Sequence, residues 1–327
     1  MNYGVELLSP QAKILTDATG RRLLLYSGAS KPDASKIDLA VRVPIHRAVA
    51  CSPIELAFAL RLHNEAEPVL DNFKGILNAA EAHLVLPELV ERLSSGRLSD
   101  IQSLQELRAL KPEVVFTFLF PHDDPYLYNL LVKTHSPNAV EDAWYEPDIT
   151  ERIKWIEFIG HFFNLERQAR EIVQKVSQDM ENTTRSSSTK GERVLWFMEF
   201  QGYVFVTGGR SWVAQSIRRL GGEVITPDAN TPGSVQSTHE WVASRMQEAN
   251  VIVFTMVRPS ILHLSSMYPI IKNSPAYREG KIHGFNVNYW QEGTYAPETW
   301  FRELSLILSS GAEGNHEGLK LFSTVTT

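Results

Sequence analysis

One short segment limits the possible folds of this chain more than any other. Residues 114–120, Val-Val-Phe-Thr-Phe-Leu-Phe, form a near-continuous apolar run. Such a run is typical of a parallel strand that is covered on both faces. The preceding segment, Leu104 to Leu110, has helical spacing and ends at Lys111-Pro112. A helix followed by a strand of this kind predicts an α/β domain with a parallel sheet.

The same order of elements occurs earlier in the chain. Arg47 to Cys51 predicts a short buried strand, and Ser52-Pro53 is a good helix start because serine caps free amides and proline fits the first turn. Helical apolar spacing then runs from Ile54 to Leu62. Arg21 to Tyr26 predicts a strand of a small N-terminal hairpin, and Val69-Leu70 a possible short strand.

The second half of the chain repeats this pattern. A Gly208-Gly209 pair precedes a predicted helix that Gly221-Gly222 ends. Further helices are predicted over residues 238–247, 275–279 and 297–308, and strands over residues 194–200, 203–206, 224–225, 251–254 and 282–285.

A helical segment lies between the two halves. From Asp148 to Met180 the apolar residues follow the helical period, with a possible break near Asn164, which predicts one long helix or two abutting helices. A polar loop is expected over residues 183–191. We therefore predict two Rossmann-like lobes with mostly parallel sheets, residues 1–147 and 183–327, joined by a long interlobe helix over residues 148–182. A rigid connection of this kind permits only small rocking.

Composition excludes several classes of protein. The 327 residues are 43% hydrophobic and 21% charged, as in ordinary globular chains. A net charge of −6 predicts no global attraction to nucleic acid. The one cysteine, Cys51, excludes an intrachain disulfide and a cysteine-rich zinc site. No apolar run is long enough to span a membrane, and no signal peptide is evident at the N-terminus.

Motifs for catalysis and metal binding are absent from the sequence. It has no G-x-S-x-G elbow and no phosphate-binding P-loop, and Gly208-Gly209 does not match the dinucleotide fingerprint. The ten histidines show no metal-ligand spacing. His122-Asp123-Asp124 follows a strand end and could reach a metal, although a polar loop is the more ordinary interpretation. We therefore predict no enzyme activity and no resident cofactor, and leave direct metal contact open.

Five stretches, in this order and spacing, resemble the substrate-binding proteins of ABC importers for iron complexes, the class that serves siderophores, haem and cobalamin. They are RAVACSPIELAFA (47–59), LQELRALKPEVVF (104–116), WYEPDITERIKWIEFIGHFFNLERQAR (144–170), VTGGRSWVAQSIRRLGG (206–222) and SPAYREGKIHGFNVNYW (274–290). The resemblance implies capture of a metal chelate in a cleft between the lobes and delivery to an importer permease. It also implies a periplasmic or surface-anchored protein whose export signal is absent from this chain.

The resemblance places the ligand at the carboxyl ends of strands, as in other open α/β sheets. Arg210 and Arg258 would bind anionic groups of the chelate. Aromatic candidates for stacking on a flat or aryl ligand are Trp144, Tyr145, Trp212, Tyr289 and Trp290. Ferric siderophore or haem is the first expected ligand, and cobalamin the next.

Docking to the importer is the other role that the resemblance implies. Proteins of this class use a carboxylate on each lobe, and the candidates are Glu88 or Glu91 in the first lobe and Glu223 or Glu240 in the second. Among these we favour Glu88 and Glu240. The alternatives are a cytosolic α/β enzyme or ligand sensor that reuses the two-lobe fold, and a binding protein for an oxyanion such as molybdate or for a bare metal ion.

Overall fold

The structure is a computed structural model that describes residues 3–77, 79, 84–118, 137–189, 191–309 and 318–325. The chain divides into two compact units. The first unit contains Met1–Glu146 and Glu151–Gln174, and the second contains Pro147–Thr150 and Lys175–Thr327.

The first unit begins with a four-stranded sheet rather than the small hairpin expected from the sequence. Its strands are β1 (Gly4–Ser9), β2 (Ala12–Thr16), β3 (Arg22–Tyr26) and β4 (Leu39–Arg42). They pair in chain order, and only β3 and β4 run parallel. One face of the sheet is apolar, so the N-terminal residues are part of the folded unit.

Residues 114–118 of the apolar run lie inside a parallel sheet, as predicted, and residues 119–120 lie outside the described residues. The strands are β5 (Ala48–Ala50), β6 (Phe73–Leu77), β7 (Ser99–Ile101), β8 (Val114–Phe118) and β9 (Asn138–Glu141). They lie in the order β7-β6-β5-β8-β9, and every pair is parallel. The three apolar residues at the start of β8 are fully buried because the sheet is covered on both faces.

Within the described residues, three helices lie between these strands, namely α1 (Pro53–Leu62), α2 (Pro87–Ser94) and α3 (Leu104–Leu110). Ser52 begins α1 as expected, and its backbone N–H donates to Glu55 Oε2 at 2.8 Å, which completes a capping box. Val69-Leu70, however, belongs to a 3₁₀ helix (Val69–Asn72) rather than a strand. That short apolar pair did not distinguish a strand from a buried helical turn.

The segment between the halves contains three helices, α4 (Ile149–Ile153), α5 (Trp155–His161) and α6 (Glu166–Ser186). The break expected near Asn164 is present, and this residue has a left-handed φ of 59°. Helix α6 also continues to Ser186, so part of the segment expected as a polar loop is helical. Residues of α6 up to Gln174 belong to the first unit, and those from Lys175 belong to the second.

The second unit is built on a seven-stranded mixed sheet with the order β13-β11-β10-β14-β15-β16, and β12 also pairs with β10. Its strands are β10 (Arg193–Phe200), β11 (Tyr203–Thr207), β12 (Glu223–Val224), β13 (Ser234–Ser237), β14 (Val251–Val257), β15 (Ile282–Phe285) and β16 (Phe322–Thr324). Strands β10, β14 and β15 run parallel, whereas β11 runs antiparallel to β10. The carboxyl ends of β10, β14 and β15 therefore meet at one edge.

Helices accompany this sheet at the positions that the sequence predicted, with two more that it did not. They are α7 (Trp212–Arg219), α8 (His239–Met246), α9 (Ile261–Met267), α10 (Pro275–Arg278), α11 (Tyr289–Tyr295) and α12 (Pro297–Ser309). Helices α9 and α11 are the two that were missed. The two α/β units confirm the predicted fold class.

Candidate functional site

The carboxyl edge of the second unit's parallel strands carries an unusual concentration of exposed apolar side chains. Half of the exposed large hydrophobic residues in the described part of the chain lie there. We call this set the apolar edge: Phe200, Tyr203, Met256, Val257, Val287 and Trp290. Phe200 ends β10 and pairs with Tyr203, which places both residues at this edge although β11 runs back. Contiguous exposed apolar surface is typical of a ligand-binding or partner-binding site.

Arg258 adds a positive charge to the apolar edge. It follows β14 directly, its side chain is exposed, and it forms no side-chain hydrogen bond or ion pair with a described residue. Its backbone has a left-handed φ of 47°, and its N–H donates to Phe285 O at 2.8 Å. The next residue, Pro259, packs so closely on β15 that a Cβ on Gly284 would lie 2.1 Å from Pro259 Cδ. These contacts fix the backbone of an arginine whose guanidinium remains available.

Trp290 and Tyr289 are adjacent in sequence but differ in exposure. Trp290 is 48% exposed and meets Phe285 edge-on with ring centroids 5.7 Å apart. Tyr289 is only 2% exposed, stacks on Phe285 at 3.4 Å, and accepts a hydrogen bond from Trp300 Nε1 at 2.7 Å. The tyrosine is thus a packing residue that supports the surface on which Trp290 lies.

Arg210 and Trp212 follow β11, which runs in the opposite direction to β10, β14 and β15. Arg210 comes after β11, which is antiparallel to β10, whereas Arg258 comes after β14, which is parallel to β10. Arg210 is exposed, its N–H donates to Thr231 O at 2.9 Å, and its guanidinium has no ion-pair partner among described residues. Trp212 is half-buried, with its ring 4.5 Å from that of Trp300. Their binding roles stay predictions.

The carboxyl edge of the first unit's sheet has a different character. Glu55 and Glu141 are fully buried there, and one oxygen of each has no hydrogen-bond partner among the described residues. Burial raises the pKa of Glu55 to about 8. Burial, followed by the charge of Glu55, holds the pKa of Glu141 well above its usual range. Both carboxyl groups are therefore largely neutral near pH 7, so they place little negative charge at this edge.

Cys51 lies beside this carboxyl pair at the end of β5. Burial, with a further contribution from Glu55, raises the pKa of its thiol well above the ordinary value. A thiol in this environment is not activated as a nucleophile. The residue acts as a small packing side chain in the apolar cluster that α3 forms with the sheet.

Two further expected residues of the first unit lie in the short 3₁₀ helix Ala143–Tyr145, directly after β9. Tyr145 is half-buried, while the side chain of Trp144 lies outside the described part of the structure. His122-Asp123-Asp124 also lies outside the described residues. Among the residues that are described, no group of three His, Cys, Asp or Glu side chains could hold a metal ion.

The two favoured docking carboxylates differ in their surroundings. Glu88 lies on α2 and accepts a hydrogen bond from Arg92 Nε at 2.7 Å, so its charge is already paired. Glu240 is exposed in the first turn of α8, where its own backbone N–H and Thr238 lower its pKa. Glu240 therefore remains ionised and has no ion-pair partner in the described part of the chain.

Sequence reasoning missed most of the apolar edge. Phe200, Tyr203 and Val257 are terminal residues of apolar strands. In sequence, an apolar residue at a strand end is as consistent with burial in the core as with exposure. One available signal was the length of β14, Val251–Val257. The sequence predicted a buried strand over residues 251–254 only, and these four are the buried residues, so the apolar residues that follow them had no place in the core. The hairpin Phe200-Gln-Gly-Tyr203 was the other, because it places two aromatic rings beside a turn.

Comparisons with known proteins agree with this architecture. A family model described as periplasmic binding protein matches residues 91–285. An uncharacterized lipoprotein of Methanocaldococcus jannaschii is 24% identical over 310 residues, which cover 90% of this chain and 74% of that protein.

Solved structures show the same fold. The periplasmic haem-binding protein RhuT of Roseiflexus sp. RS-1 aligns with a TM-score of 0.61 at 14% identity, covering 81% of this chain and 98% of that one. The periplasmic vitamin B12-binding protein BtuF of Vibrio cholerae aligns with a TM-score of 0.58 at 14% identity, covering 81% of this chain and 97% of that one. Within the described residues, no helix combines the length and the apolar composition of a membrane span.

Proposed function

The chain belongs to the periplasmic binding protein family, and we propose that it captures a metal chelate outside the cytoplasm for delivery to an ABC importer permease. Family membership confirms that the protein binds a solute rather than catalysing a reaction. The family therefore argues against the alternative of an enzyme that reuses the fold. The identity of the chelate and the residues that bind it are the parts that this proposal adds.

The observation that carries the proposal is the apolar edge with Arg258 beside it. A macrocycle or aryl chelate covers apolar rings such as those of Tyr203 and Trp290, and each 40 Å² of apolar surface removed from water contributes about 1 kcal/mol. The guanidinium of Arg258, which has no partner among the described residues, supplies two parallel N–H donors for a carboxylate of the same ligand. Haem and ferric siderophores combine an apolar or aromatic body with anionic oxygens, so they are the first candidates. Cobalamin is the next.

The two alternative ligands fit this surface less well. A small oxyanion would leave the exposed rings of the apolar edge in water and use only Arg258. A bare metal ion needs several protein ligands, and the described residues offer no cluster that could supply them. A chelate carries its own metal ligands and needs only a matching surface.

The family and the relative support the proposed location, and the family supports docking to a permease. The family description and the lipoprotein of Methanocaldococcus jannaschii support a place outside the cytoplasm, periplasmic or anchored at the cell surface. For contact with the permease we favour Glu240 in the second unit, because its carboxylate is exposed and unpaired among described residues. Glu88 is the matching candidate in the first unit, although it would have to exchange its contact with Arg92.

A ligand screen tests the proposal. Purified protein is titrated with haem, several ferric siderophores, cobalamin, molybdate and divalent metal ions, and thermal unfolding and tryptophan fluorescence are recorded. We expect one chelate to quench fluorescence saturably and to raise Tm, since a ligand that binds only the native state stabilises it by mass action. Stabilisation by molybdate or by a divalent ion alone, or by nothing in the panel, would contradict the chelate assignment.

A further inference from the structure

The first unit contains a cavity that the proposed chelate site does not use. It has a volume of about 550 Å³ and lies between the N-terminal sheet and the helices α5 and α6. Its walls come from β1, β2, β3 and the junction of α5 with α6, all within the first unit. The volume is within the ordinary range of small-molecule sites.

Six ionisable side chains line this cavity, and four of them already have a hydrogen-bond or ion-pair partner. The hydroxyl of Tyr3 donates to Lys154 O at 3.5 Å. Glu166 forms a short ion pair with Lys13 and also contacts His161, with its Oε1 3.2 Å from His161 Nδ1. Burial, with the charges of Lys13 and Arg170, lowers the pKa of His161 to about 3. This histidine is therefore neutral, and the charges of Lys13 and Glu166 offset each other.

The other two ionisable groups, Glu157 and Arg170, have opposite charges, and neither forms an ion pair with a described residue. Glu157 lies on α5 and Arg170 on α6, and both line the cavity. Neither side chain forms a hydrogen bond or an ion pair with any residue that the structure describes, including each other. Burial raises the pKa of Glu157, and the charges of Arg170 and Lys154 oppose that rise. The cavity wall therefore carries a carboxylate and a guanidinium that form no direct polar contact with each other or with another described residue.

The first strand supplies an apolar part of the cavity wall. Tyr3, Val5 and Leu7 occupy alternate positions at the start of the chain, so their side chains lie on one face of the strand and line the cavity. Val5 is 45% exposed and Leu7 is 77% exposed. Two aliphatic side chains this exposed on one strand face offer apolar area that a ligand could cover.

We propose that this cavity is a second ligand site, which binds a small zwitterion with an aliphatic side chain, such as a branched-chain amino acid. The ligand carboxylate pairs with Arg170, its ammonium group pairs with Glu157, and its aliphatic group covers Val5 and Leu7. A purely anionic ligand would leave Glu157 unpaired beside it, and a purely cationic ligand would do the same to Arg170. A zwitterion satisfies both charges.

The test compares leucine with two analogues that each lack one charge. Binding of L-leucine, 3-methylbutylamine and 4-methylpentanoate to the full chain is measured by isothermal titration calorimetry and by thermal shift. We expect leucine to bind and each analogue to bind roughly tenfold or more weakly, as for the loss of one charge-assisted contact. Failure of leucine and of other branched-chain amino acids to bind, or equal binding of an analogue, would overturn the proposal.

Variants locate the binding in this cavity. Arg170→Gln and Glu157→Gln should each weaken leucine binding by about tenfold or more, with the far-ultraviolet spectrum unchanged. Arg167→Gln is the matched control, because Arg167 lies on the same helix, is exposed and is paired with Glu171. Equal loss in the control, or no loss in the two variants, would contradict the assignment. Chelate binding is expected to be unchanged in all three variants, so failure here is distinguishable from failure of the proposed function.

Discussion

At the scale of single residues, burial changes chemistry that the sequence alone does not show. Glu55 was visible in the sequence only as part of the first turn of a helix. In the structure it caps Ser52 with one oxygen while the other is buried without a partner among described residues. Its side chain therefore has two effects of opposite sign, a stabilising cap and a carboxyl group that resists ionisation.

A pH experiment separates these two effects. The pKa of Glu55 is about 8 in the folded protein and near the ordinary carboxyl value when unfolded, so its contribution to stability is complete at low pH and is lost as the pH rises towards 8. In Glu55→Gln the cap is retained and this loss is removed. We expect the free energy of unfolding of the variant, relative to wild type, to increase by about 1 kcal/mol or more between about pH 5 and about pH 8.

Urea unfolding at several pH values measures this difference. Glu106→Gln is the matched control, because Glu106 caps α3 in a similar way through Ser103 and Gln102 but is exposed. A difference between wild type and Glu55→Gln that stays constant with pH would show that the carboxyl group ionises freely in the folded protein.

Exposure is also the reason that the candidate site was only partly predictable. Arg258 and Trp290 were found because a charged or aromatic residue after a strand is conspicuous in sequence. Tyr289 has the same sequence context as Trp290 but is buried against Phe285. The two side chains project in different directions from the start of α11. If the helix began one residue earlier or later, the other residue would be the buried one.

At the scale of elements, the sequence predicted most helices and strands but not the direction of β11. Tyr203 to Val206 was correctly expected as a strand. The two-residue turn Gln201-Gly202 makes it the return strand of a hairpin, with a left-handed φ at both turn positions. That turn is the signal for an antiparallel β11, and it explains why Arg210 and Arg258 follow strands of opposite direction.

The turn from β11 into α7 depends on the glycine pair before Arg210. A Cβ on Gly209 would lie 2.5 Å from the backbone of Ala229, so any side chain there forces the backbone to move. We expect Gly209→Ala to lower the free energy of unfolding by about 1–3 kcal/mol. Gly233→Ala is the control in the neighbouring loop, because its Cβ would have nothing within 4 Å.

Chemical denaturation of both variants provides the comparison. A loss in Gly209→Ala that is no larger than the loss in Gly233→Ala would show that the turn relaxes without cost. Close packing against Ala229 is enough to explain why glycine occupies position 209. The glycine pair is therefore no evidence for a phosphate-binding site.

At the scale of the whole molecule, the fold was predictable because its signals are redundant. The buried run at β8, the serine cap of α1 and the glycine stop after α7 each indicate α/β structure, and an error in one element leaves the others intact. The proposed ligand surface has no such redundancy. It consists of strand ends such as Phe200 and Val257, whose exposure depends on what covers one edge of one sheet.

The central claim is that the second unit binds an anionic, apolar chelate through Arg258 and the apolar edge. The most direct test is a haem titration of wild type, Arg258→Gln and Arg278→Gln, followed by tryptophan quenching and the haem absorption spectrum. Arg278 is an exposed arginine that precedes β15, at the amino edge of the same sheet. We predict saturable binding that Arg258→Gln weakens about tenfold and Arg278→Gln leaves unchanged. Tight haem binding with equal affinity in all three proteins would contradict the claim.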